Sequence, residues 1–213
     1  MSRRYVQRAR AESARETRGQ VLEAARAALL AEGRLELSVG EIAAAAGVAR
    51  STVYATFGSR AGLLSALADE TLQRAGLDGV IAEYRQPDAV TALERSLAAS
   101  CRMYAADHVV FARLLVLARI DPDAAVPIAR SQADRAAGMA DLARRLEAQR
   151  RLRAGVTPER AADVLWLLTG FWTFDELFVG RGLAADACAD VLLGIARATV
   201  LAKGSHPEQP TPA

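Results

Sequence analysis

The chain has 213 residues, 52% of them apolar, with 27 basic against 25 acidic side chains. That is enough for one large domain, or a small and a larger one, around a sizeable core. It excludes a membrane span, because no apolar run reaches roughly 18–20 residues, and the basic N-terminus has no apolar stretch behind it to serve as a secretory signal.

Charge is uneven along the chain. Residues 1–65 carry ten Arg against six Glu, whereas residues 66–213 carry seventeen basic and nineteen acidic groups. A basic head on a mildly acidic body points to a polyanion partner for the head. Cys101 and Cys188 lie far apart without metal-ligand spacing and read as buried thiols in a reducing cytoplasm.

In chain order, residues 1–16 read as a flexible basic arm. Arg3, Arg4, Arg8, Arg10 and Arg15 suit a phosphate or minor-groove contact, or simply a solvated terminus. Thr17 is the expected cap of a first helix over 17–32, with Val21, Ala24, Ala25, Ala28 and Leu29 inward and Gly33 as its C-cap. Leu35 and Leu37 cover the core edge. The stretch Ser38–Phe57 then reads as two short helices around a tight turn. Ser38 and Glu41 form a capping box, Gly47 permits a left-handed backbone, and Ala43 allows the helices to cross closely. Val53 and Phe57 face inward, while Arg50, Ser51, Thr52, Tyr54 and Thr56 face out. Ser59 caps a fourth helix over 60–76, with Leu63, Leu64 and Leu67 inward. Arg60 at its first residue is a cation beside a like-signed helix dipole, which hints at an external anion.

Gly76 and Gly79 loosen the chain and place a domain boundary. Helices follow over 88–106, 108–119, 123–151, 158–180 and 184–202, the fifth of these nine starting after Pro87 and the eighth capped by Thr157-Pro158. The tail, 204–213, reads as disordered. No strand pattern or internal repeat is present. The expected class is all-α, with a helix-turn-helix domain over 17–75 and a second helical domain over 76–203.

Residues 17–67 resemble the DNA-binding domain of the TetR family of transcriptional regulators. The resemblance lies in Ser38, Ile42-Ala43, Gly47-Val48, Thr52-Val53-Tyr54, Phe57, a basic residue at 60 and Leu63-Leu64, all in the family's spacing. It implies a cytoplasmic homodimer that binds a pseudo-palindromic double-stranded DNA operator, usually represses, and releases DNA on binding a small molecule. An activator, or a helical dimeric protein-interaction module, is the alternative. Arg50 can meet a guanine edge, although phosphate contact or plain exposure are open to it. Ser51, Thr52 and Ala55 would contact base edges or a thymine methyl. Ser38, Tyr54, Thr56 and Arg60 would hold phosphates, Tyr54 having a purely packing role as its alternative. Gly40 stands where the family often carries a polar side chain, and Thr56 replaces a common histidine.

In the second domain, five of the eleven aromatics lie between 166 and 178. On a continuous helix Trp166, Phe174 and Phe178 share a face with Gly170, and Phe171 and Trp172 face elsewhere. Ala187, Gly194 and Ala198 make a small-residue stripe on the last helix. A homodimer interface from residues 158–202 is expected, with a monomer core helix as the alternative. Candidates for an apolar or aromatic effector are Arg102, Tyr104, Asp107, His108, Phe111, Met139, Trp166 and Trp172, each equally at home in the core or on the surface. No cofactor or metal is expected. With two histidines, no clustered ligands, no phosphate loop and no nucleophile elbow, an enzyme is not expected.

Overall fold

A computed structural model of the protein describes residues 3–31 and 37–204. The expected C-cap at Gly33, Leu35 and the tail beyond Gly204 lie outside the described residues, as do the side chains of Arg3, Arg4, Arg8 and Arg10. The helices are α1 (Arg3–Leu30), α2 (Val39–Ala45), α3 (Arg50–Phe57), α4 (Arg60–Ala75), α5 (Leu77–Tyr84), α6 (Ala89–Ala106), α7 (His108–Leu117), α8 (Pro122–Ala148), α9 (Pro158–Leu168), α10 (Phe171–Phe178) and α11 (Ala185–Thr199). Among the described residues there is no strand, only an isolated antiparallel bridge between Leu152 and Leu201. The class is all-α, and no described helix is long and apolar enough to cross a membrane.

Contacts divide the chain into two compact units. The first joins residues 1–71 to 109–129, and the second joins 72–108 to 130–213. In the first unit Val21, Leu22, Ala25 and Leu29 form one stripe of α1 at helical spacing. They pack with Ile42, Ala43, Val53, Leu63, Leu64 and Leu67. Val110, Leu114, Leu117 and Ala124 belong to the same core, although sequence spacing assigns them to the second domain. The reason is size: four helices in some seventy residues leave an apolar face uncovered, and α7 with the start of α8 covers it.

Helix α1 begins at Arg3 and not at Thr17, so the expected arm is helical from Arg3 onward. Residues 3–16 hold no glycine or proline and are rich in Ala, Arg, Glu and Gln, which favour helix without packing. Their described side chains up to Glu16 are exposed.

The second unit is built on Val90, Leu93, Leu97, Leu142, Leu146, Leu165, Phe174 and Leu192, each 0–1% exposed. Cys101 and Cys188 lie buried in the same core, and burial pushes the Cys101 thiol up to about 12. Thr157 caps α9 as expected, its hydroxyl accepting the Arg160 N–H at 3.3 Å with Pro158 behind it. Two expectations fail here. Gly76 turns the chain at φ 104°, but Gly79 lies inside helix α5 and does not loosen it. The expected helix 158–180 is two helices. Thr169 donates its hydroxyl back to Leu165 O at 2.9 Å, a bond that bends helices. Arg135 donates to Thr169 Oγ1 at 3.0 Å and to Trp166 O. A cation at the C-terminus of α9 suits the helix dipole and takes one carbonyl, Trp166 O, that a continuing helix would use. Gly170 then goes extended at ψ 144°. The break rotates the register, so Trp166 is 41% exposed while Phe174 is 1% exposed. The shared face expected of Trp166, Gly170 and Phe174 does not form, and Phe171 is buried.

Candidate nucleic-acid interface

Helices α2 and α3 meet as the sequence requires. Gly47 sits at φ 68°, and Val48 N–H closes the turn on Ala43 O at 3.0 Å. Ala43, 3% exposed, and Val53, 1% exposed, fill the crossing. Ser38 has the extended N-cap backbone of α2, but its hydroxyl accepts no capping bond. The expected cap on the α2 backbone is therefore not made, and Ser38 is exposed.

Only Val53 of α3 is buried. Arg50, Ser51, Tyr54 and Ala55 are exposed, and Thr52 and Thr56 half-buried. One eight-residue helix thus presents an almost wholly unpacked polar surface, held from behind by a single valine and flanked by Phe57. Arg50 leans along its own helix, donating to the Tyr54 hydroxyl at 3.3 Å with its guanidinium 5.6 Å from the ring centroid. That contact lays the cation along the exposed face of α3. Thr56 donates its hydroxyl to Thr52 O at 2.8 Å. Its only polar hydrogen is thus used within the helix, which disfavours the expected donation to a phosphate. Arg18 lies 4.9 Å over the Phe57 ring.

Arg60 departs most from expectation. It is not a stranded cation. Its guanidinium donates to Asp121 Oδ1 at 3.0 Å, to Asp123 Oδ2 at 3.0 Å and to Asp121 Oδ2, while Nε donates to Leu37 O at 3.1 Å. Four of its five N–H groups are thereby committed inside the protein. The hydrogen bond from Arg60 holds the Asp121 carboxyl below the usual carboxylate range. The anion inferred for this position is internal, supplied sixty residues further along the chain. Ser59 caps α4 as expected, accepting the Gly62 N–H at 3.0 Å. Gly62 itself escapes sequence reasoning: a Cβ there would lie 2.0 Å from Phe57 O. The first turn of α4 packs backbone-to-backbone on the end of α3, and nothing in the spacing of apolar residues announces that.

Seven of the eight effector candidates lie in the second unit, where they scatter. Tyr104 donates its hydroxyl to Thr169 O at 3.2 Å and packs on Phe171 and Phe174 at 5.4 and 5.7 Å between centroids. Burial raises its phenol, so it remains a donor. His108 Nε2 lies 2.5 Å from Asp175 Oδ1 and its ring packs on Phe171 and Phe178. Tyr104 and His108 thus share one aromatic cluster. Asp107 caps the end of α6, and Met139 is buried in the core. Arg102 is exposed and pairs with Asp186 at 3.0 Å. Phe111 belongs to the first unit. Trp166 lies exposed under Arg135, 4.5 Å from the guanidinium. Trp172, 40% exposed, lines an open apolar groove with Leu177, Val191 and Ile195 between α10 and α11. The eight residues do not form one pocket.

Residues 21–67 match the family model described as bacterial regulatory proteins, tetR family. No curated protein sequence matches the chain. Among solved structures, NalD of Pseudomonas aeruginosa, the secondary repressor of the MexAB-OprM multidrug efflux pump, is similar at 25% identity and TM-score 0.69, over 89% of this chain and 98% of NalD. SmeT, the repressor of the Stenotrophomonas maltophilia multidrug efflux pump SmeDEF, is similar at 18% identity and TM-score 0.67, over 92% of this chain and 100% of SmeT. A SmeT–triclosan complex aligns at TM-score 0.68 and 19% identity, over 92% of this chain and 99% of the other. Residues 21–67 thus carry a DNA-binding domain of the tetR family of bacterial regulatory proteins, and the fold that the chain shares with NalD and SmeT extends over most of its length.

Proposed function

We propose that the protein is a homodimeric repressor that binds a pseudo-palindromic operator and leaves it when a small apolar or aromatic molecule binds the second domain. The observation that carries the DNA-reading assignment is α3: eight residues, one of them buried, with Arg50, Ser51, Tyr54 and Ala55 exposed together. Arg50 reads a guanine edge, Ser51, Thr52 and Ala55 contact neighbouring bases, and Ser38 and Tyr54 meet phosphates. Thr56 contributes only where it gives up its bond to Thr52. One such helix spans too few base pairs for useful selectivity, so a two-fold copy is required.

The surface for that copy lies on α10 and α11. Val191, Gly194, Ile195 and Ala198 are exposed along one stripe of α11, and Trp172 stands exposed on α10. Large apolar side chains grouped with small residues suit a self-complementary helix face. The effector assignment is supported by the aromatic cluster around Tyr104 and His108, and SmeT, of similar fold, has been solved with triclosan.

The test is direct. Full-length protein is incubated with fragments of native DNA, including the region upstream of its own gene, against a 100-fold excess of unrelated duplex at moderate salt. Retention of one two-fold-symmetric fragment supports the reading; loss of every fragment ends it. Triclosan and other aromatic compounds are then screened for raised melting temperature and release of that fragment. A compound that stabilises the protein without loosening DNA rejects the release step, because a ligand without differential affinity shifts nothing.

A further inference from the structure

We propose that Arg60, Asp121 and Asp123 form a positioning clasp that holds the recognition helix α3 in its reading orientation. This rests on α3 as the reading element. It assigns Arg60 an internal role in place of the phosphate contact that its position in the motif implies.

The geometry runs in one chain of contacts within the first unit. Asp121 lies in the α7–α8 turn and accepts the N–H groups of Asp123 at 3.0 Å and Ala124 at 3.3 Å. Its carboxylate therefore caps α8 and grips Arg60 at once, and cannot swing freely. The Asp121 side chain is 13% exposed and that of Arg60 28%, so the pair is shielded enough for its geometry to persist. A planar guanidinium held on both sides of one carboxylate, on a second carboxylate and on a backbone carbonyl has one orientation.

Arg60 is the first residue of α4, and two residues, Gly58 and Ser59, separate it from the end of α3. Fixing α4 fixes α3 because nothing between them can yield. Gly58 N–H is bonded to Tyr54 O at 2.8 Å, and the α-carbon of Gly62 touches the carbonyl of Phe57 so closely that a Cβ has no room. The Nε bond to Leu37 O pins the residue just ahead of Ser38, where α2 begins. One side chain thus ties the entrances of α2 and α4 to the α7–α8 turn, and α3 is carried between them. A second guanidinium does the like for α1: Arg113 of α7 donates to Leu29 O at 3.0 Å and Ala31 O at 2.6 Å.

The experiment compares full-length wild type with Asp121→Asn, Asp121→Glu and Arg60→Lys. Amide exchange in the free protein is read helix by helix. Asp121→Asn is expected to speed exchange in α3 and the first turn of α2 by about tenfold while leaving α11 unchanged, and Asp121→Glu to restore most of the protection. Arg60→Lys keeps the charge but loses the fork, so it is expected to behave as Asp121→Asn does. Duplexes selected from a random library are then titrated across salt. Asp121→Asn is expected to bind several-fold more weakly at every salt concentration, with an unchanged slope of log affinity against log salt. Four results overturn the proposal. They are unchanged exchange in α3, equal loss of protection in every helix, wild-type behaviour of Arg60→Lys, or tighter binding by Asp121→Asn with a slope steeper by about 0.9 per released arginine. The last would mean that freeing Arg60 gives it to a phosphate. Because exchange is measured without DNA, failure to select any duplex would count against DNA reading and leave the clasp decided by exchange.

Discussion

The outward helices of the two units differ in what they show to solvent. Helix α3 buries one residue and turns Arg50, Ser51, Tyr54 and Ala55 outward. Helices α10 and α11 bury Phe171, Phe174, Cys188, Leu192 and Leu193 and turn Trp172, Val191 and Ile195 outward. A polar face with an arginine suits a hydrated polyanion, which is bound through ions and hydrogen bonds. An apolar face suits a protein surface that excludes water. The same helical fold therefore presents two kinds of surface, and the difference lies in which side of each helix the core leaves uncovered.

That contrast can be broken from either side. The largest effect is expected from Phe174→Ala, which empties a fully buried ring site against Tyr104 and Phe178. It should cost about 4 kcal/mol, read as a lowered denaturation midpoint. Ile195→Asp places a charge on the exposed face of α11 and should leave the monomer folded. Each copy is expected to lose about 2 kcal/mol of association, seen as a shift toward monomer in sedimentation; an unchanged dimer would show that this face is not the interface. Gly62→Ala drives a methyl into Phe57 O and should destabilise the first unit by about 3 kcal/mol, with α3 exchanging fastest. Arg50→Ala should remove about 2 kcal/mol of discrimination between operator variants while nonspecific affinity stays close to wild type. Equal loss on all sequences would make Arg50 a phosphate ligand.

The smallest effect is a pH dependence. Asp121 has a depressed folded pKa, so its contribution is complete above the unfolded carboxylate value of about 4 and is lost as pH falls through the lower folded value. The stability gap between wild type and Asp121→Asn should therefore be constant near neutrality and close under acid titration. A gap that persisted in strong acid would separate the Asp121 charge from the clasp.

Helix periodicity and turn chemistry made most of the architecture readable. Ala43 and Val53 specify a close crossing by their sizes, Gly47 the turn by its left-handed backbone, and Thr157-Pro158 announces α9 by capping. What stayed hidden depends on partners distant in sequence. Arg60 looked stranded because Asp121 and Asp123 lie sixty residues away, and charge order along a chain carries no distance in space. The break at Gly170 depends on Arg135 reaching a helix end from α8. Val110 and Leu114 join the first core because the small head has a face to fill, whereas their own spacing says only that they are on a helix. Helical propensity, which needs no partner, suffices to make residues 3–16 helical. Side-chain chemistry without a register does not tell Tyr104 beside Phe171 from Arg102 facing solvent.

The contact between Gly62 and Phe57 O has a consequence for how such a reader can change. Helix α3 is seated by backbone, by one valine and by a glycine in its neighbour, none of which faces outward. Its exposed side chains carry almost no structural duty, so positions 50, 51 and 55 behave as an exchangeable cassette. Substitutions there leave the seat of the helix intact, whereas a side chain at Gly62 must displace the Phe57 carbonyl and with it the frame on which those positions stand.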